Sequence, residues 1–228
     1  MKKFELTTEF ITNMFGKKLF RIKALVEFGH VKAGELGGYV EKEENVSQDG
    51  NAWVSGGAWV YGNAKVYGNA WVYGNAKVSG NAEVSGGAWV YGNAKVYGNA
   101  WVSGNAWVSD DAEVSGDAEV YGDAWVYGDA EVYGDAEVSG DAKVSGNAWV
   151  SGNTDYALAQ GFGTKFRCTT FYRGKNKKIM VNCGCFHGDL EEFRKQVKET
   201  RSGKIAKEYL MIADLMEYHF ASEDSGNE

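Results

Sequence analysis

Proline is absent from all 228 residues, so no backbone donor is missing along any strand and a long hydrogen-bonded ladder is open to this chain. Three cysteines exclude a disulfide framework and suit a reducing compartment. No apolar run reaches membrane-spanning length and no leader-like segment occurs, so the expectation is a cytoplasmic protein with no membrane partner. Histidine is confined to His30, His187 and His219, which leaves the centre of the chain without an imidazole base.

The centre is instead a hexapeptide of the form Asn/Asp/Gly-Ala-x-Val-Ser/Tyr-Gly, with valine at every sixth residue from Val54 to Val150. Repeats this short cannot bury an apolar face singly, and stacking supplies the core. Side chains alternate along a strand, so the valine and the alanine two residues before it point inward, while the intervening residue and the Ser or Tyr point outward. Gly followed by Asn, Asp or Gly turns each corner.

The hexad resembles that of left-handed β-helix proteins known from acyltransferases. That resemblance implies a left-handed, three-sided coil of eighteen residues, about six coils in all. The tryptophans agree with eighteen: Trp53, Trp71, Trp89, Trp107 and Trp125 fall at that spacing before Lys143 ends the row. The fold expectation is therefore mainly β, a parallel β-helix over 49–153. A small cap precedes it over 1–48, with a strand-rich stretch from Lys18 to Val31. An α+β unit follows over 154–228. There TKFRCTTFYR and KIMVNCGCF read as a β-hairpin, Asp189 caps a helix to about Thr200 with Glu192 completing a capping box, and a second helix runs from Lys204 to Phe220. Ile205, Leu210, Ile212, Leu215 and Met216 give that helix its apolar stripe. Residues 222–228 read as a polar tail.

Taken whole, the chain resembles uncharacterised phage and prophage proteins of Gram-positive bacteria. The carrying segments are LFRIKALVEFGHVKAGELGGYVE, the NAxVxG array, and TTFYR, VNCGCF and GDLEEF. The resemblance implies a phage setting and no established activity. Hexapeptide acyltransferases use a histidine base near a subunit boundary, commonly with a loop thrown out of the coil; this array has neither histidine nor insertion. The enzyme reading is therefore the weaker alternative, and no cofactor is expected.

Four sets of residues carry the remaining signals. Cys183, Cys185 and His187 alternate along one strand, with Cys168 across the hairpin, and four such ligands permit tetrahedral zinc. Their spacing is not that of a standard zinc site, and small buried hydrophobes are the simpler reading. Residues 110–141 hold eleven acids and no base. Asp111 stacks on Asp129, Asp117 on Asp135 and Glu119 on Glu137; this belt reads first as a solvated surface, then as a face for a basic partner, a mimic of a nucleic-acid backbone, or a calcium site. Lys165, Arg167, Arg173, Lys175, Lys177 and Lys178 surround Phe166, Phe171 and Tyr172, a mixture suited to phosphates and bases or to another copy's acidic belt. A net charge of -7 opposes broad DNA binding.

The last set is the aromatic row, Trp53 to Trp125 joined by Tyr73, Tyr91 and Tyr127. Such a strip is larger than a soluble monomer usually exposes. It predicts a homo-oligomer, trimer before dimer, or a host protein or nucleotide-like ligand as cover. The function expected is that of a non-enzymatic phage interaction protein, with sequestration of a host defence component first and a structural role in the virion second.

Overall fold

The computed structural model describes residues 2–221; the polar tail at 222–228 lies outside the described residues. Three antiparallel strands come first: β1 (Phe4–Thr12), β2 (Lys18–Ala24) and β3 (Leu36–Val40). Seventeen two-residue strands follow at every sixth residue, from β4 (Trp53–Val54) to β20 (Trp149–Val150). Each pairs in parallel with the strand eighteen residues away, as Trp71 with Trp89 and Val72 with Val90. The result is a parallel β-solenoid of about six turns with three flat sides. Val46 bridges Val66, two residues beyond the regular spacing, which accommodates the two-residue insertion visible before Val54.

Every valine and every alanine of the array is buried, and together they form one continuous core down the prism axis. Burying a valine side chain is worth about 1.5–3 kcal/mol, so each repeat adds to the stability of the shaft. The corners need glycine. Gly74 has φ +72°, and a Cβ there would lie 3.1 Å from the backbone of Gly92 one coil on. Asp110 stands in this glycine column at φ +58°, and its carboxylate accepts from Gly128 N at 3.1 Å.

Both ends of such a shaft present unpaired backbone groups, the same hazard as an open sheet edge. At the start, Lys3 Nζ donates to Ala52 O at 2.9 Å, Asn45 Nδ2 to Ala64 O at 2.8 Å, and Tyr39 N to Ala58 O at 2.9 Å. At the finish, Lys143 N donates to Thr170 Oγ1 at 2.9 Å, Asn182 Nδ2 to Lys143 O at 2.7 Å, and Glu137 N to Asn153 Oδ1 at 2.8 Å. The leading strands β1 and β2 continue one side of the solenoid into a nine-stranded sheet.

The C-terminal unit is larger than the hairpin expected from sequence. It is a four-stranded antiparallel sheet of β21 (Tyr156–Phe162), β22 (Arg167–Arg173), β23 (Ile179–Cys183) and β24 (Phe186–Asp189), with helices α1 (Leu190–Thr200) and α2 (Gly203–Phe220). One face of this sheet closes the prism, where Tyr172 joins the solenoid core. The other carries Phe171 and Val181 against Phe193, Ile212, Ala213 and Met216. Asp189 caps α1 by accepting from Glu192 N at 2.9 Å, and Glu192 Oε2 accepts from Asp189 N in return. On α2, Ile212 and Met216 are buried as the stripe requires, whereas Leu215 is exposed. No described helix is long and apolar enough to cross a membrane.

Candidate functional site

Four indoles of the row stand on one flat side, on successive rungs of the same sheet. Centroids of Trp71 and Trp89 are 6.4 Å apart at 27°, those of Trp89 and Trp107 5.4 Å at 10°, and those of Trp107 and Trp125 4.8 Å at 2°. The stack tightens along the shaft until each indole covers its neighbour's face. Lys143 Nζ then sits 4.7 Å over Trp125 and closes the row with a cation-π contact. Beside it Tyr73 and Tyr91 stack at 4.9 Å and 2°, with their edges against Trp89 and Trp107. Burial and the neighbouring Tyr91 push the Tyr73 phenol above its ordinary pKa. Tyr127 stands apart from this pair because Ser109 occupies the rung between.

Trp53 does not belong to the exposed row. It pairs in register with Trp71, yet it is fully buried, with Phe4 and Phe28 edge-on to its rings at 6.1 and 5.4 Å. The leading strands fold over it, so the first rung is a plug under the cap. His30 lies next along the same side, 6.3 Å from Trp71. Trp89 and Trp125 retain 38% exposure each, although both stack on Trp107 between them.

The acidic belt lies on the corners and two sides of the last coils. The first carboxylate of each corner column accepts from an asparagine one coil back: Asn93 to Asp111 at 3.0 Å, Asn99 to Asp117 at 2.8 Å and Asn105 to Asp123 at 3.1 Å. Asp129 and Asp135 then follow in the same columns, one coil on. Glu119 and Glu137 pair in register on the third side, where Tyr121 donates to Glu137. Among the described residues no group of three or more His, Cys, Asp or Glu side chains is arranged to hold a metal ion.

The Cys/His set is divided rather than gathered. Thr169 pairs with Cys183, and Asn182 pairs with both Thr170 and His187. The Gly184–Cys185 turn therefore returns the chain with His187 on the solenoid face of the sheet and leaves Cys183 on the helical face. Cys168, adjacent to Thr169 on its strand, takes the solenoid face, where burial pushes its thiol up; Cys185 is exposed in the turn. The alternation expected along one strand fails because a turn interrupts it. His187 Nδ1 lies 2.7 Å from Asn182 Oδ1, and Asn182 Nδ2 donates to Ser145 Oγ at 3.0 Å. Ser145 is in turn 3.2 Å from the Tyr172 hydroxyl. This chain of polar contacts ties the end unit to the last coil, and sequence reasoning missed it because its four members come from three separate segments.

The basic hairpin is likewise corrected. Phe171 and Tyr172 are fully buried, on opposite faces of their sheet, and offer no surface to a base. Arg173 Nε is held by Asp155 at 3.0 Å and its Nη2 donates to Phe220 O. Lys175 reaches Glu131 of the solenoid at 2.8 Å, and Lys178 reaches Asp189 at 2.6 Å. Lys165, Arg167 and Lys177 remain exposed. Of the six cations, Lys175 thus ties the end unit to the solenoid, Arg173 and Lys178 are paired with Asp155 and Asp189, and among the described residues the other three stay free on the surface.

Comparison with known proteins speaks to the shaft. Residues 58–74 and 94–110 match the YdcK beta solenoid repeat. Both matched stretches lie within the hexad array, so the likeness concerns the repeat and extends to neither end unit. No curated protein matches the chain.

Proposed function

We propose that this chain is a non-enzymatic binding protein, a stiff prism that holds aromatic side chains at fixed intervals against a partner. The carrying observation is the row Trp71, Trp89, Trp107 and Trp125, whose ring faces are spent on one another and whose edges look outward on a flat side. At the inter-strand spacing of a sheet the row runs about 15 Å, and an apolar strip of this kind calls for cover. A planar nucleotide-like ligand needs a free ring face to stack upon. A flat protein surface needs only edges, which favours a macromolecular partner over the small ligand.

The resemblance to phage and prophage proteins makes the proposed partner a host protein, sequestered in the cytoplasm as a counter-defence. A trimer of this chain, in preference to a dimer, is the second reading of the same strip, supported by the resemblance to hexapeptide helices, which associate side by side in closed symmetry. A structural role in the virion ranks after both. Acyl transfer is disfavoured by the placement of the imidazoles: His30 packs at Trp71 and His187 is held by Asn182.

Capture from infected cells tests the reading, with mass spectrometry of both proteins and small molecules released. Wild type is expected to retain a protein that Trp71→Lys/Trp89→Lys/Trp107→Lys loses while keeping its β-sheet signal. Thioester turnover abolished by changing His30 or His187 would overturn the non-enzymatic reading.

A further inference from the structure

A second flat side, the one continuous with β1, β2 and β3, carries a pattern that the aromatic row does not use. Its outward residues on six successive rungs are Trp59, Lys77, Lys95, Glu113, Glu131 and Trp149, each paired in register with the next. From either end the column runs aromatic, two charges of one sign, two of the other, aromatic. The column after the valines alternates large and small: Tyr61, Ser79, Tyr97, Ser115, Tyr133, Ser151. The preceding corner column runs Gly57, Asn75, Asn93, Asp111, Asp129, Asn147.

A half-turn about an axis along the strands, midway between Lys95 and Glu113, reverses the rung order and leaves each column facing itself. A second copy placed this way sets Lys77 against Glu131, Lys95 against Glu113 and Trp59 against Trp149. The same operation puts a serine opposite every tyrosine and sets Asn75 and Asn93 opposite Asp129 and Asp111. Three columns satisfy one symmetry operation together. The third side fails the same test, since Lys65, Glu83, Trp101, Glu119 and Glu137 would oppose Glu83 to Glu119.

Two local features agree. Like charges on adjacent rungs are unfavourable, yet this side places Lys77 beside Lys95 and Glu113 beside Glu131. Among the described residues Lys95 meets Glu113 at 2.5 Å, Lys175 meets Glu131 at 2.8 Å, and Lys77 lies 4.6 Å over the Trp59 ring. Among the described residues Lys77 thus has no carboxylate partner, and the half-turn supplies one. A groove of about 420 Å³ also opens here, with Ser79 and Gly80 between Tyr61 and Tyr97 and with Phe15 at its rim. The half-turn directs Tyr133 of the second copy at Ser79, into that groove.

We propose that this side is the contact of a twofold, antiparallel homodimer, separate from the aromatic row. A strip about 24 Å long and roughly 15 Å wide buries on the order of 400 Å² per copy, about half of a standard interface. The dimer is accordingly weak and salt-sensitive.

Sedimentation of the full chain over a range of concentrations tests it, in the Trp71→Lys/Trp89→Lys/Trp107→Lys background so that the aromatic row does not contribute. That parent is expected to dimerise at low salt. Lys77→Glu/Lys95→Glu and Glu113→Lys/Glu131→Lys should each weaken the dimer at least tenfold, and an equimolar mixture of the two should restore it as a heterodimer. Ser79→Tyr, which introduces the residue that other hexads carry at this position, should fill the groove and weaken the dimer with the fold unchanged. A parent that stays monomeric at high concentration, variants that dimerise as tightly as the parent, or a mixture that stays monomeric would each overturn the proposal.

Discussion

The Phe28 ring stands at 72° to the Trp53 indole, centroids 5.4 Å apart, so that a tryptophan at the same hexad position as its exposed repeats becomes part of the core. The cap makes this difference. Trp53→Ala should cost about 3–5 kcal/mol, the range for emptying a buried large aromatic. Trp125→Ala removes one stacking partner and one cation-π contact, and should cost about 1–2 kcal/mol. Urea unfolding of the two variants checks the contrast; equal losses would return Trp53 to the exposed row.

Lys3 is a buried amine that donates to carbonyls of the first coil, and loss of hydration lowers its pKa to about 8. The unfolded chain keeps the ordinary value near 10.5. Below pH 8 both states hold the proton and this group adds no slope. Between about 8 and 10.5 the unfolded state binds more protons, so stability from this group rises with pH. The unfolding free energy of wild type minus that of Lys3→Met should climb across that window and be flat below it; a difference that falls with alkali would contradict the assignment.

Tyr172 plugs the far end of the prism, and burial pushes its phenol up to about 12. Tyr172→Phe keeps the plug and removes one partner of the Ser145 hydroxyl, which still accepts from Asn182 Nδ2, and should cost about 0.5–1.5 kcal/mol. Tyr172→Ala empties the site and should cost about 3–5 kcal/mol. Thermal unfolding ranks the two, and a neutral Tyr172→Ala would mean that the end unit does not seal the solenoid.

The stacked acids make a prediction of opposite sign. Asp117, Asp135, Glu119 and Glu137 place like charges on neighbouring coils, whereas Asn63 donates to Asn81 and Asn81 to Asn99 along the earlier part of the same corner. Changing the four to amides should hold or raise the melting temperature, most clearly at low salt. If partner capture is lost while stability rises, the belt belongs to the binding surface; unchanged capture assigns it to solvation.

The shaft was legible because its physics is local and repeated. Valine, alanine and glycine fix the inward column and the corner, while eighteen residues per coil came from the resemblance to hexapeptide β-helix proteins, with which the tryptophan spacing agrees. Asp189 and Glu192 announced the start of α1 in the same local way. Distant partners hid the rest. Nothing near Trp53 signals Phe4 or Phe28, which reach it from β1 and from the connection between β2 and β3. Phe171 and Tyr172 looked like an exposed aromatic pair because a sheet buried on both faces, by the prism on one and helices on the other, leaves no polar alternation to read. Strands Tyr156–Phe162 and Phe186–Asp189 were missed for a related reason, since their glycines and polar residues dilute the β pattern. The set of Cys168, Cys183, Cys185 and His187 failed at one turn, whose return register decides which face each side chain takes.

The aromatic row as a contact face is tested most directly by oxidative footprinting of individual tryptophans, read by mass spectrometry in the free protein and in its captured complex. The account predicts that Trp71, Trp89, Trp107 and Trp125 react in the free protein and are protected in the complex, while Trp53 is inert in both. Equal reactivity of the four indoles in the two states, with protection on another side of the prism, would contradict it.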